Sequence, residues 1–310
     1  MKRKIIQIAG STQLISLPRK WCIEHNIKKG EELEVDDEGD EIVISTKRIV
    51  VPSHIILSHK TLGHIHPHFL SAAYHAGYEE VDVEYRDPKR IQEIKDRLDN
   101  CIGYEMINQG EHICQIRAIS RAESSEFDQI LRKTFYLTKT MGQNTIEVLK
   151  EGNYQRFREI ISLEKTCDRL TDFCIRVLNQ HEGKFKKKFL LRIIVSDVER
   201  IGDELRKMAQ RLEREKRRCS KQVIDLFQEV FKEYDHIQKL FYKLDATLVG
   251  DMFSRIEDLE KRSWKYFEKG TIIDQQIIHS VLVIINILYE SAFNNVEVNL
   301  ETTIKPIDEQ

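Results

Sequence analysis

The 310-residue sequence has little proline or glycine, 5 and 13 residues respectively. That scarcity excludes a collagen-like or loop-dominated chain. Neither charge sign dominates: 49 Lys and Arg face 51 Asp and Glu, for a net charge of −2. A uniformly basic nucleic-acid binder is excluded, while a local basic patch is not. The six cysteines contain no CxxC pair. Neither a zinc knuckle nor a disulfide scaffold is expected, and a reducing cytosol is. Long apolar runs are missing too. The longest, Ile277 to Tyr289, is interrupted by His279, Ser280 and Asn286, and falls short of the ~20 residues of a membrane span. Met1-Lys-Arg-Lys4 leads into short alternating apolar residues, not into the apolar core of a secretory signal. No Gly-rich phosphate loop, nucleophile elbow or HExxH is found. What is plentiful is charge, 32% beside 41% hydrophobic residues, a balance that suits long solvent-faced helices.

Three segments follow different periods. In residues 1–50, Ile6 and Ile8, Leu33 and Val35, and Ile42 and Ile44 alternate with polar residues, which predicts short strands. Pro18 opens a short helix to His25, and a turn is expected at Asp37 to Asp40. Some fifty residues bury too little surface to stand comfortably alone. An interlocked homodimer is the simplest remedy. Residues 52–120 read as a small α/β module, with strands at Ile55–Leu57, Val81–Tyr85, Tyr104–Asn108 and His112–Ile119 and helices at Phe69–His75 and Pro88–Leu98. A rigid spacer is its favoured role, with a small ligand as the alternative. Residues 123–305 carry helical periodicity almost throughout. Helices are expected at about 125–150, 153–181, 186–217, 219–248, 251–268 and 272–303, as two three-helix bundles in tandem. Leu191, Ile194, Val198, Ile201, Leu205, Met208 and Leu212 repeat at the 3-4 spacing of a bundle seam. The whole reads as a mainly α, multidomain chain.

Two carboxylate pairs stand out. Glu164 and Asp168 lie on one helix and Glu199 and Asp203 on the next. Each i, i+4 pair projects from one face, where like charges repel by a few tenths of a kcal/mol. A cation would reverse that cost. The competing reading is a solvated face with local ion pairs to Lys165, Arg169, Arg200 and Arg206. Gly202, mid-helix, costs ~1 kcal/mol relative to Ala and points to a close backbone approach or a functional constraint. His64-Ile-His66-Pro-His68 offers alternate imidazoles, but the proline favours a loop without metal.

Val198-Glu-Arg-Ile-Gly-Asp203 with an upstream Glu-x-x-x-Asp resembles the PhoU family of phosphate-homeostasis regulators. The resemblance covers roughly 123–305. It implies two three-helix bundles that bind metal clusters, with Glu164, Asp168, Glu199 and Asp203 as ligands to iron, zinc, magnesium or manganese. The second repeat departs from the pattern: Asn294 of Tyr289-Glu-Ser-Ala-Phe-Asn294 stands where an aspartate is expected. One site at most is therefore expected.

Gly10-Ser-Thr-Gln13 through Pro18-Arg-Lys-Trp21, with Ile27-Lys-Lys-Gly30 and Leu33-Glu-Val35, resembles the AbrB/SpoVT/MazE swapped-hairpin DNA-binding family. That family often carries Gly-Arg where this chain has Gly10-Ser11. The resemblance implies an interlaced dimer that touches DNA phosphates through basic residues, here Lys2, Arg3, Lys4, Arg19 and Lys20. Together the two resemblances imply a cytoplasmic, homodimeric, non-enzymatic regulator of phosphate uptake that binds double-stranded DNA. Partner proteins could be a phosphate-transport ATPase or a sensor kinase. The alternative is a protein-interaction regulator whose first domain only dimerises. A metal-dependent hydrolase lacks a readable general base, water-excluding pocket and phosphate cradle.

Overall fold

The computed structural model describes residues 2–8, 12–37, 42–46, 54–120, 122–181, 184–215 and 217–303. The chain divides into two compact units, 1–53 and 54–310. The expected α/β module is thus joined with the helices and does not stand as a separate body. The turn expected at Asp37 to Asp40 and the helix break at Glu182-Gly183 fall mostly outside the described residues.

The first unit contains two separate antiparallel hairpins. One pairs β1 (Ile6–Ile8) with β2 (Thr12–Leu14), the other β3 (Leu33–Asp37) with β4 (Ile42–Thr46). Between them lies α1 (Arg19–Glu24), which starts just after Pro18 as a proline-led helix should. None of its described residues is buried. Ile5, Ile6, Ile8, Leu14, Ile23, Val35 and Ile42 all stand 46–68% exposed. Two-stranded hairpins with this much apolar surface in water are not stable alone.

The second unit begins with a four-stranded sheet of order β5-β6-β8-β7, built from β5 (His54–Ser58), β6 (Glu80–Glu84), β7 (Tyr104–Gln109) and β8 (Ile113–Ala118). The β5–β6 pair is parallel and the others antiparallel. The parallel pair requires a crossover, supplied by α2 (His59–Leu62) and α3 (His68–His75); α4 (Ile91–Leu98) follows β6. The one-turn α2 was not expected from the sequence. Alternating Val81, Val83, Cys114 and Ile116 point inward to a core with Leu70, Tyr74 and Ile94.

Six long helices complete the fold: α5 (Phe127–Glu151), α6 (Phe157–Gln180), α7 (Lys188–Leu212), α8 (Lys221–Tyr242), α9 (Ala246–Lys269) and α10 (Ile272–Thr303). Their ends have local causes. Gly152 caps α5 in the left-handed region at φ 70°. Asp245 accepts from the backbone of Thr247 and Leu248 at the start of α9. The seam Ile194, Val198, Ile201, Leu205, Met208 and Leu212 is buried as its spacing required. The six helices share one apolar core. Helix α10 is more apolar than the interrupted run had suggested. By length and composition alone it could cross a membrane, yet just over half of that stretch is buried inside the bundle, where α7, α8 and α9 pack on it. All six cysteines are free thiols, and Cys167 and Cys174 are buried together as small apolar residues.

Gly202 does not mark the close approach its position suggested. A methyl there would meet Cys167 Sγ at 3.7 Å, an ordinary contact. The close approach is at Gly142 of α5, where a methyl would fall 1.8 Å from the Phe231 ring of α8. Helical spacing carries no trace of that contact, because the partner is 89 positions away in the chain.

Candidate functional site

The acid residues of α6 and α7 meet on one side of the bundle. Glu164 and Asp203 interact closely enough to shift each other's titration and share one guanidinium. Arg206 Nε lies 2.9 Å from Glu164, and Arg206 Nη2 lies 2.7 Å from Asp203. Lys207 adds a weaker contact to Asp203 at 3.5 Å. Burial, against the pull of Arg206, pushes Glu164 up to about 7. For Asp203 burial works upward too, but the Arg206 bond and charge, aided by Lys207, hold its carboxyl below the usual range.

Asp168 is engaged from elsewhere. Asn100 donates to it at 2.7 Å, and Arg97 Nη1 lies 3.4 Å away. Both come from the α/β module, at and just beyond the end of α4. Arg97 also donates to Ser71 of α3 and lies 2.8 Å from Asp172, one turn further along α6. His75 of α3 completes that group, with Nε2 2.6 Å from Asp172. Asp168 is raised, first by burial and then by Asp172, against Arg97. The bundle rim is therefore roofed by the module, where the sequence had suggested an open face. Of the ion pairs the sequence offered, Arg206 forms as expected. Arg200 turns away from Asp203 to Asp197, 3.2 Å distant.

Glu199 has no hydrogen bond or ion pair among the described residues. Burial, then the charges of Asp168, Asp172 and Asp203, push it up to about 7. Five carboxylates thus gather around two guanidiniums, one ammonium and one imidazole, so the acids outnumber the basic groups in contact with them. Among the described residues no three His, Cys, Asp or Glu side chains stand ready around a common point to hold a metal ion. The donor set fits a divalent cation by charge and by its oxygen chemistry. It does not present the ligands already assembled, because Arg206 and Arg97 occupy them.

The module is fastened by more than these acids. Arg176 of α6, 2% exposed, packs against the edge-to-face pair of Tyr74 and Tyr104, 4.8 Å from each ring centroid. It donates to the carbonyls of Tyr74 at 2.8 Å and Tyr78 at 2.9 Å. Asn179 and Gln180 donate to the carbonyls of His75 and Gly77. None of Arg97, Asn100, Asp172 or Arg176 was singled out from the sequence. Asp172 continues the Glu164, Asp168 row at i+4, the one local signal that could have marked it.

The remaining candidates are dispersed. Lys2, Arg3 and Lys4 precede β1, Arg19 and Lys20 open α1, and all five are exposed. Among the described residues only Lys20 is ion-paired, to Glu24 at 3.7 Å. Of the three histidines, His64 faces Arg90, whereas His66 and His68 stack at 4.6 Å. Asn294 of the second repeat is buried and donates to Asp197 at 3.3 Å, with Ser291 at 2.8 Å. It serves the α7–α10 contact and has no place in a second acid rim.

These features define a two-part chain, a small hairpin unit with no buried residue among those described, followed in sequence by a sheet module and helical bundle with an acid cluster. Its two parts match two families. Residues 6–52 match the model described as antidote-toxin recognition MazE, bacterial antitoxin. Residues 131–212 match the PhoU domain, a stretch that holds all four candidate ligands and ends with α7. No curated protein matches the chain.

Proposed function

We propose that this chain is a cytoplasmic, homodimeric regulator of phosphate uptake and homeostasis that binds DNA through its first unit and a divalent cation through its bundle. The carrying observation is the union of a hairpin unit whose described residues are all unburied, five of them exposed and basic, with a cluster in which five acids outnumber the basic groups around them. Two copies of the first unit would cover each other's apolar residues and present their cations as a two-fold pair. Such a pair reads a pseudo-palindromic duplex. A phosphate-transport ATPase or a sensor kinase would be the protein partner, and the role is regulatory, not enzymatic.

Glu164, Asp168, Glu199 and Asp203 would hold the cation, whether iron, zinc, magnesium or manganese. The bound ion would supply positive charge to an oxygen cluster that lacks it. Asp168 also holds Arg97 and Asn100 of the module. Cation binding and module docking therefore draw on the same carboxylate, which is the coupling a regulator requires.

Two measurements test this reading. Binding to duplex DNA should weaken steeply with salt. The triple variant Arg3→Ala/Arg19→Ala/Lys20→Ala should flatten the log–log slope by ~0.9 for each phosphate it no longer neutralises. Salt-independent or absent binding would leave dimerisation as the unit's whole role. Separately, elemental analysis should find metal in the purified chain and little in Asp168→Ala/Asp203→Ala; equal contents would reject these ligands.

A further inference from the structure

Between α7, α9 and α10 lies a groove of about 390 Å³ that shares no lining residue with the acid cluster, within the size range of small-molecule sites. Its floor is the outer face of α10, where His279, Leu282, Val283 and Asn286 recur at helical spacing. The inner face of the same helix, with Ile277, Val281 and Ile284, is buried in the core. One wall is aromatic. Trp264 and Phe267 of α9 stand edge to face, 5.9 Å between ring centroids, and the indole is half exposed. The other wall is Arg200 of α7.

Arg200 is set in place. Its Nη1 is held by Asp197, which is buried and itself receives hydrogen bonds from Ser291 and Asn294 of α10. The other guanidinium nitrogens have no partner among the described residues. A planar cation anchored through a buried carboxylate, opposite an exposed indole, combines the two contacts that phosphate and base require. Guanidinium forks match phosphate oxygens, and aromatic faces stack on bases of any identity.

We propose that this groove binds a nucleoside phosphate, with the base against Trp264 and Phe267, the phosphate toward Arg200 and His279, and Asn286 positioned to hydrogen-bond the sugar or base edge. The site shares no residue with the acid cluster or with the basic residues of the first unit. It would make the regulator responsive to nucleotide level.

The chain contains two tryptophans, so a Trp21→Phe full-length protein leaves Trp264 as the sole indole reporter. Titration with AMP and with ATP, in the presence of a chelator to remove metal bridging, should give a saturable fluorescence change at sub-millimolar nucleotide. Adenosine should bind about tenfold more weakly or less. Arg200→Ala should cost at least about tenfold, with the helical circular dichroism unchanged. Because Arg200→Ala also exposes Asp197, the surface variant His279→Ala supplies a second arm, expected to weaken AMP and not adenosine. Calorimetry on Trp264→Leu should show the binding gone. No saturable signal up to millimolar nucleotide would overturn the proposal. So would inorganic phosphate competing as well as AMP, or unchanged binding in all three groove variants.

Discussion

Ile6→Glu/Ile8→Glu is expected to convert the chain from a dimer, at twice 36.6 kDa, to a monomer whose second unit remains folded. Both side chains lie on β1 and are about half exposed in the single chain. No described residue of the first unit is buried, so on the proposed reading its apolar residues are covered by a second copy. Burying an isoleucine contributes ~1.5–3 kcal/mol. Each is already about half covered, so the dimer supplies about half of that at each of four isoleucines, and losing them weakens association by ~3–6 kcal/mol, or ~10²–10⁴-fold. The penalty for burying carboxylates in their place adds to that. Light scattering coupled to size exclusion reads the mass directly. A wild-type monomer at high micromolar concentration would refute the interlaced dimer. A variant that stays dimeric would place the interface in the second unit. DNA affinity should fall with the dimer, because the paired cations separate.

Arg176→Ala should detach the α/β module from the helices. The guanidinium makes two hydrogen bonds to backbone carbonyls and packs against two tyrosine rings. Charged hydrogen bonds contribute ~1.5–3 kcal/mol each, and desolvated cation–π contacts up to ~2 kcal/mol. Allowing for non-additivity, a loss of ~3–5 kcal/mol is expected. Residues 54–120 should become sensitive to protease while the bundle persists, and one thermal transition should split in two. Arg176→Lys should recover little, since a lysine cannot reach both carbonyls with a planar fork. A single transition shifted by less than ~1 kcal/mol would show that the apolar contacts alone hold the module.

Much of this architecture was legible beforehand, for identifiable reasons. Alternation at period two placed β1, β3 and β4, and the 3-4 spacing placed α7 together with the buried face that carries Val198 and Ile201. The i, i+4 rule put Glu164 with Asp168 and Glu199 with Asp203. What misled was the environment of those acids. Arg200 was three residues from Asp203 and chose Asp197, because Asp197 is buried with Ser291 and Asn294 around it. Gly202 looked like a contact glycine and is not, while Gly142 is.

The sequence by itself determined the helical and strand periods and the shared face of the two acids within each pair. Each of these is a relation between residues a few positions apart, which backbone geometry converts directly into direction. Tertiary structure alone decided that the two pairs meet and what answers them: Arg97 and Asn100 on Asp168, His75 on Asp172, and Arg176 against two tyrosines. Those partners are 68 to 102 residues apart. Contacts at such separation are set by how whole elements pack, and no local period records them.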